Sequence, residues 1–423
     1  MSLRACAWLF YRFPRVSNSL EIVLKNDVNS EALEQALARA TEVHPWVKLV
    51  PQIGEDGSVN LTMSDKPLAL VKKEGPADLG GDETEGRIFG VSYYKNKIYI
   101  AYFHGLTDGT GRNRFFETLL YYYFSIKNGK EYEPGSIWTL EGQAHPGLFD
   151  DPMENLYEVN TAHEFLPQPV EEEIFYLPEV KAKDAVSKTS EGVGARYYLR
   201  VKSTDLIGYT KANGQTPTVA LQLFMAQALQ QMNPDNAKKY VAAIPCNLRK
   251  VIDKNDVFEN AWNFIYQSID PADLSTDEET LGRALRADLK AQMDPDQLKE
   301  IENRDIRIAL EAEQLKTKEE RDNLYKEKYP FFIGTYVFSY IGTIGGQEYM
   351  EEVEDAIWTS VMPRIPMITM VEIAGEFAIT ILQPFEGSHY ADALAAQLEA
   401  HGIPVVKQMK LPAGGRSKVY LSL

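Results

Sequence analysis

Tyr99 to Gly111 reads YIAYFHGLTDGTG, and this run holds the residues best suited to chemistry. His104 ends an apolar stretch, Asp108 follows four residues later, and Gly109 and Gly111 come directly after. A strand fixes the position of a histidine at its end, while the adjoining loop leaves the ring reachable, which suits proton transfer. A neutral imidazole with an ordinary pKa of about 6.5 accepts a proton from an alcohol or amine near neutral pH. Such assistance contributes about 10²–10⁴-fold to a rate. The carboxylate of Asp108 admits a further reading, as the group that orients His104 in the manner of a hydrolase triad. The glycines after it suggest a tight, positive-φ turn and a close backbone approach.

The flanking elements must hold these residues. Ile98 to Phe103 is rich in β-branched and aromatic residues, as a buried strand should be. From Arg112 to Phe124, Phe115, Phe116, Leu119, Leu120 and Tyr123 recur at helical spacing and form an apolar stripe. The expected order is strand, histidine loop, Asp-Gly turn, helix. Upstream, Asn29-Ser30-Glu31 opens a helix with Leu33, Ala36, Leu37 and Ala40 on one face and acid in its first turn. That helix runs into His44-Pro45 and then an extended segment.

The strand, His104, Asp108-Gly109 and the helix together resemble the HxxxDG active-site motif of the condensation-domain and chloramphenicol-acetyltransferase-like acyltransferase superfamily. The Ala- and Leu-rich helix ending in His44-Pro45 is similar to a second feature of that group. Ile244-Pro245-Cys246-Asn247-Leu248-Arg249 resembles its strand ending in a structural arginine, and Phe258-Glu259-Asn260 its following turn. The resemblance implies an α/β (α+β) fold of two lobes, each a mixed sheet with packed helices, and an active-site tunnel between them. It implies His104 as general base, and Asp108, beside Gly109, turned from the substrate to pair with Arg249. Stand-alone bacterial alcohol acetyltransferases are the nearest description. Acyl-CoA is then the expected co-substrate, with no permanently bound cofactor. The sequence departs from the pattern in having Phe103 where many members carry a first histidine, and in lacking DFGWG, of which Tyr340-Ile341-Gly342 is a remote counterpart. The first of these departures disfavours peptide-bond condensation, and the second is a departure from the plant-type acyltransferases.

Composition narrows the classes further. A chain of 423 residues exceeds one ordinary core and suggests two domains. We expect an N-terminal lobe over 1–165, a proline- and acid-rich crossover over 166–194, and a C-terminal lobe over 195–423. Two lobes in one chain make a monomer, a pseudo-dimer in itself, the expectation. Hydrophobic residues at 44% are ample for packed interiors. Cys6 and Cys246 have no metal-ligand spacing and cannot build a disulfide framework, so no metal and a cytoplasmic setting are expected. No apolar run reaches the roughly 20 residues of a membrane span. The net charge of −17, from 61 acidic and 44 basic residues, repels nucleic acid and acidic carrier proteins alike. It favours a small anionic thioester as donor, and small molecules as the partners.

The second half repeats the plan of the first. Arg196 to Val201 reads as a strand, and Thr216-Pro217 as a capped helix start. Strands are expected at 240–245, 264–268 and 331–341, and at 367–374 and 377–382 around a Gly375-Glu376 turn. The charge-dense stretch 277–328 fits two or more surface helices, its charges on solvated faces. His44, His145, His163, His389 and His401 read as helix-exit, surface or capping residues. Ser339 and Tyr340, on the strand 331–341, and Asn260 are candidate substrate-binding residues from the second lobe. No residue is singled out as the donor to a tetrahedral oxyanion. Two other classes stay open: a non-catalytic binding protein of the same fold, and a condensation enzyme dependent on a separate carrier protein.

Overall fold

The computed structural model describes residues 7–12, 16–154, 169–181, 195–328, 334–345, 348–360, 365–412 and 417–421. Expectations for Cys6, His163, residues 331–333 and most of the 166–194 crossover lie outside them. In the first half, the apolar and alternating runs form strands Ser17–Leu24 (β1), Leu49–Ile53 (β2), Val59–Met63 (β3), Leu70–Lys72 (β4), Phe89–Tyr94 (β5) and Lys97–Phe103 (β6). The second half supplies Ala195–Lys202 (β7), Tyr240–Asn247 (β8), Trp262–Ile269 (β9), Tyr336–Ile344 (β10), Val353–Ser360 (β11), Met367–Ile373 (β12), Glu376–Gln383 (β13) and Val405–Lys410 (β14).

One sheet runs β11-β1-β6-β5-β4 and a second β14-β7-β13-β12-β10-β8-β9, with β2 and β3 as a separate hairpin. The histidine-bearing β6 sits in the middle of the first sheet and is buried on both faces from Ile98 onward. That burial explains why the run offers no polar side to water. The second sheet is mixed, since β10 runs parallel to both β8 and β12. The first sheet takes one strand from the far half of the chain: β11 pairs with β1 from Asn18 opposite Ser360 to Leu24 opposite Val353.

Helices form where the apolar spacing placed them. Asn29 caps Ser30–Val43 through its Oδ1, which accepts from the Ala32 N–H. Thr216 caps Pro217–Met232 in the same way through the Val219 N–H. The helix Gly109–Asn128 packs with Ser30–Val43 in the core of the first sheet. His389–Ala400 packs with Pro217–Met232 in the core of the second. Among the described residues no helix is long and apolar enough to cross a membrane.

Two expectations need correction. The turn between β12 and β13 is Ala374-Gly375, one residue earlier than expected, and both residues have positive φ, of 48° and 77°. A turn of that handedness matches the twist of the flanking strands, and glycine takes its second position without strain. The stretch 277–328 forms three helices, Glu278–Gln292, Pro295–Gln314 and Lys318–Lys328, and not all its charges face water. Arg321 is buried: its Nε donates to the Ala312 carbonyl at 3.1 Å and its Nη2 pairs with Asp56 at 3.1 Å. Ile308, Ala312, Leu324 and Tyr325 of this arm join the first core. Glu302 is buried as well, and desolvation pushes its carboxyl up to about 8.

Phe258 shows how the halves are joined. It lies in the second half of the chain, yet its ring stacks on Trp46 at 5.3 Å and 9° within the first core, only 1% exposed. Phe258→Ala should cost about 3–5 kcal/mol, read as a fall in the urea unfolding midpoint. An unchanged midpoint would show that this ring does not tie the halves together.

Candidate active site

His104 leaves β6 with its main chain held on both sides. Its N–H donates to the Val16 carbonyl at 3.1 Å, and its carbonyl accepts from Asn260 Nδ2 at 2.8 Å. Asn260 Oδ1 in turn accepts from Trp262 Nε1 at 2.9 Å, and the Trp262 ring lies 5.3 Å from the imidazole. Both ends of the Asn260 amide are thereby engaged within the protein. It positions His104 and takes no place in the cavity wall. The imidazole lines the cavity, and its Nδ1 is buried without a hydrogen-bond partner of good geometry among the described residues. Burial lowers the imidazole pKa, outweighing the opposing pull of main-chain hydrogen bonds and the Asp108 charge. His104 is therefore neutral at physiological pH, the form that accepts a proton.

Asp108 does not serve His104. It caps the helix Gly109–Asn128, its Oδ1 accepting from the Gly111 N–H at 3.0 Å. Its Oδ2 accepts from Arg249 Nη1 at 2.8 Å and from the Ala261 N–H at 3.0 Å. Burial pushes this carboxyl up, but the guanidinium and the two N–H donors prevail and hold it below its ordinary value. The same guanidinium gathers the loop that follows: Nε donates to the Val257 carbonyl at 3.1 Å and Nη2 to the Glu259 carbonyl at 2.7 Å. Thr107 Oγ1 closes the junction by donating to the Phe258 carbonyl at 2.5 Å.

The glycines act differently from expectation. Neither Gly109 nor Gly111 has positive φ, because the turn is the helix cap itself. Gly111 is needed for close approach: a Cβ there would stand 2.2 Å from Thr107 Oγ1 and 2.6 Å from the Phe258 carbonyl oxygen. Gly109 lines the cavity, and a Cβ there would meet nothing within 4 Å.

A cavity of about 130 Å³ lies between the two sheets with His104 on its wall. Asn18, Tyr102, Trp358 and Ser360 bound it from the first sheet, and Cys246, Trp262, Phe264, Ser339, Tyr340 and Met367 from the second. Ser339 and Tyr340 both line the cavity from the second sheet. Among the described residues, no lysine, arginine or glutamate is on the wall. Burial raises the Cys246 thiol pKa, so it remains a thiol. The other described histidines are engaged elsewhere. His44 is buried against Thr118 at 2.9 Å, and desolvation lowers it to about 3. His145 stacks on Trp138, His389 meets Glu179, and His401 bonds Glu278. The sequence reading missed Tyr102, Trp262 and Trp358. Tyr102 could have been found, since it lies two residues before His104 and so on the same strand face. Trp358 comes from β11, and no local pattern announces that its strand crosses to the first sheet.

No protein-family model matches the sequence, and no curated protein is similar to it in sequence. Solved structures are similar in fold. Polyketide synthase associated protein 5 from Mycobacterium tuberculosis superposes with a TM-score of 0.58 at 15% identity, over 94% of this chain and 98% of that one. F. graminearum TRI101 complexed with coenzyme A and deoxynivalenol gives 0.60 at 13% identity, over 96% and 97%. The epimerization domain from the third module of tyrocidine synthetase B gives 0.57 at 12%, over 95% of each. The chain shares the two-lobed α/β fold of these solved structures.

The two glycines make a matched test of this geometry. Gly111→Ala should cost about 1–3 kcal/mol by overpacking, while Gly109→Ala should leave the melting temperature nearly unchanged. Equal effects of the two substitutions in thermal unfolding would contradict the close approach at Gly111.

Proposed function

We propose that this protein is an acyltransferase that moves an acyl group from a thioester to a hydroxyl or amine, with His104 as general base. The observation that carries this reading is a neutral imidazole on the wall of a cavity between two lobes, its neighbouring carboxylate committed to Arg249. Acyl-CoA is the donor we assign. TRI101, similar in fold along nearly the whole chain, was solved with coenzyme A bound. The net charge of −17 adds a physical reason, since it disfavours docking of an acidic carrier protein more than entry of one small anion.

In this reaction His104 Nε2 removes the acceptor's proton as the acceptor attacks the thioester carbonyl, then returns it to the departing thiolate. The largely apolar, aromatic wall keeps water from competing for the acyl group and strengthens every electrostatic contact inside. Ser339 and Tyr340 present polar groups from the second sheet toward the same space.

His104→Ala should lower turnover about 10²-fold or more with little change in melting temperature, measured by release of free thiol from a panel of acyl-CoAs with pooled alcohols and amines. Near-normal turnover by the folded variant would remove His104 from the mechanism. No turnover by the wild type would leave the fold to a binding role, and a strong preference for a carrier-bound thioester would replace acyl-CoA as donor.

The pH profile gives a separate test. A base must be unprotonated to act, and burial lowers the pKa of His104. The acid limb of kcat/KM should therefore lie below the ordinary histidine value of about 6.5. A limb centred above 7 would contradict a desolvated imidazole as the essential base.

A further inference from the structure

Transfer through a tetrahedral intermediate needs a donor to the oxyanion, and a group of residues behind His104 supplies one. We propose that the Tyr102 hydroxyl hydrogen-bonds the oxyanion and that Arg112, buried behind it, is the positioning residue that orients the phenol and supplies positive charge. This inference rests on the acyltransferase reading above.

Tyr102 and His104 are two residues apart at the end of β6, so both side chains leave the same face. Both line the cavity, with their rings 6.3 Å apart and edge to face. The Tyr102 oxygen accepts from Asn18 Nδ2 at 3.2 Å, across the β1–β6 pairing. Its own O–H donates to no protein group among the described residues, so the proton is available to a bound carbonyl. Desolvation raises the phenol pKa, so the group stays a donor throughout the working range.

Arg112 is the unusual member. It is fully buried one turn into the helix that Asp108 caps, with its guanidinium over the Trp358 ring at 4.2 Å. Nε, Nη1 and Nη2 have no hydrogen-bond partner of good geometry, and the side chain makes no ion pair among the described residues. Tyr102 is its principal favourable electrostatic neighbour. Burial lowers its pKa to about 10, so it is still a cation at neutral pH. An unpaired buried charge is costly to a fold. The cost has a use if negative charge develops beside it only during reaction, which is the condition for transition-state stabilisation.

The step balances without any further reagent. The acceptor's oxygen or nitrogen lone pair forms the new bond to the carbonyl carbon, and its proton passes to His104 Nε2. The carbonyl π pair moves onto oxygen, where the Tyr102 O–H hydrogen-bonds it while keeping its proton. Return of that pair breaks the C–S bond, and the thiolate takes the proton from His104.

Kinetics on the whole protein, with an acyl-CoA and an acceptor that the wild type uses, test the proposal. Tyr102→Phe keeps the ring and should lower kcat about 10²-fold with KM little changed and the circular dichroism spectrum retained. Arg112→Met should lower kcat in the same direction, and Arg112→Lys should recover part of the loss. A Tyr102→Phe enzyme within twofold of wild-type kcat would overturn the assignment and leave the acyltransferase reading intact, as would the loss appearing in Ser339→Ala instead. No turnover by the wild type with any thioester would overturn both. Should the Arg112 variants fail to fold, Tyr102→Phe decides alone.

Discussion

The ion pair between Asp108 and Arg249 is the contact on which the site depends. One carboxylate oxygen caps the helix that follows the histidine loop, and the other meets a guanidinium 141 positions away. The guanidinium also holds two carbonyls of the 257–261 loop, and that loop carries Asn260, whose amide fixes the carbonyl of His104. The chain of contacts starts and ends within five residues of β6 after passing through the second half of the molecule. A break anywhere along it would loosen the histidine that it encloses. Burial makes the arrangement demanding, because neither charge has water as an alternative partner.

This commitment of Asp108 decides the electrostatics of His104. A carboxylate bonded to the imidazole would favour the protonated ring and raise its pKa. Turned toward Arg249, Asp108 exerts a weaker pull, and desolvation lowers the pKa instead. The result is a neutral imidazole at the wall of a cavity whose remaining surface is mainly apolar. Positive charge is nevertheless close by, in Arg112, which lies outside the cavity wall with its guanidinium over the Trp358 ring.

Much of this was legible in the sequence, because the informative features are local. Asp108 is separated from His104 by three residues, Asn29 and Thr216 are helix caps by residue type, and β6 is apolar throughout. The pairing of Asp108 with Arg249 came from resemblance, since no spacing rule connects positions so distant. Features set by tertiary contact were not legible. Gly111 looked like a turn residue, and only the approach of the Phe258 carbonyl shows why a side chain is excluded. Arg321 and Glu302 looked solvent-facing among their charged neighbours, yet the helical arm buries both against other elements. Asn260 was a candidate for substrate binding, in a turn matched by resemblance, but its amide is used at both ends inside the protein. Residues from β11 could not be anticipated, because the strand joins the first sheet from the far half of the chain.

The link from Asp108 to Arg249 is tested most directly by a double-mutant cycle at neutral pH. Asp108→Asn and Arg249→Ala should each lose about 3–5 kcal/mol of unfolding free energy. The double variant should lose clearly less than the sum, because both changes break one contact. The Asp108 pKa is depressed in the folded protein, so this stabilisation is complete above the unfolded value of about 3.9 and is lost as pH falls through the folded one. The coupling should accordingly fade in acid. Strict additivity of the two losses at neutral pH would contradict the account, showing that the two residues do not hold the lobes and the histidine together.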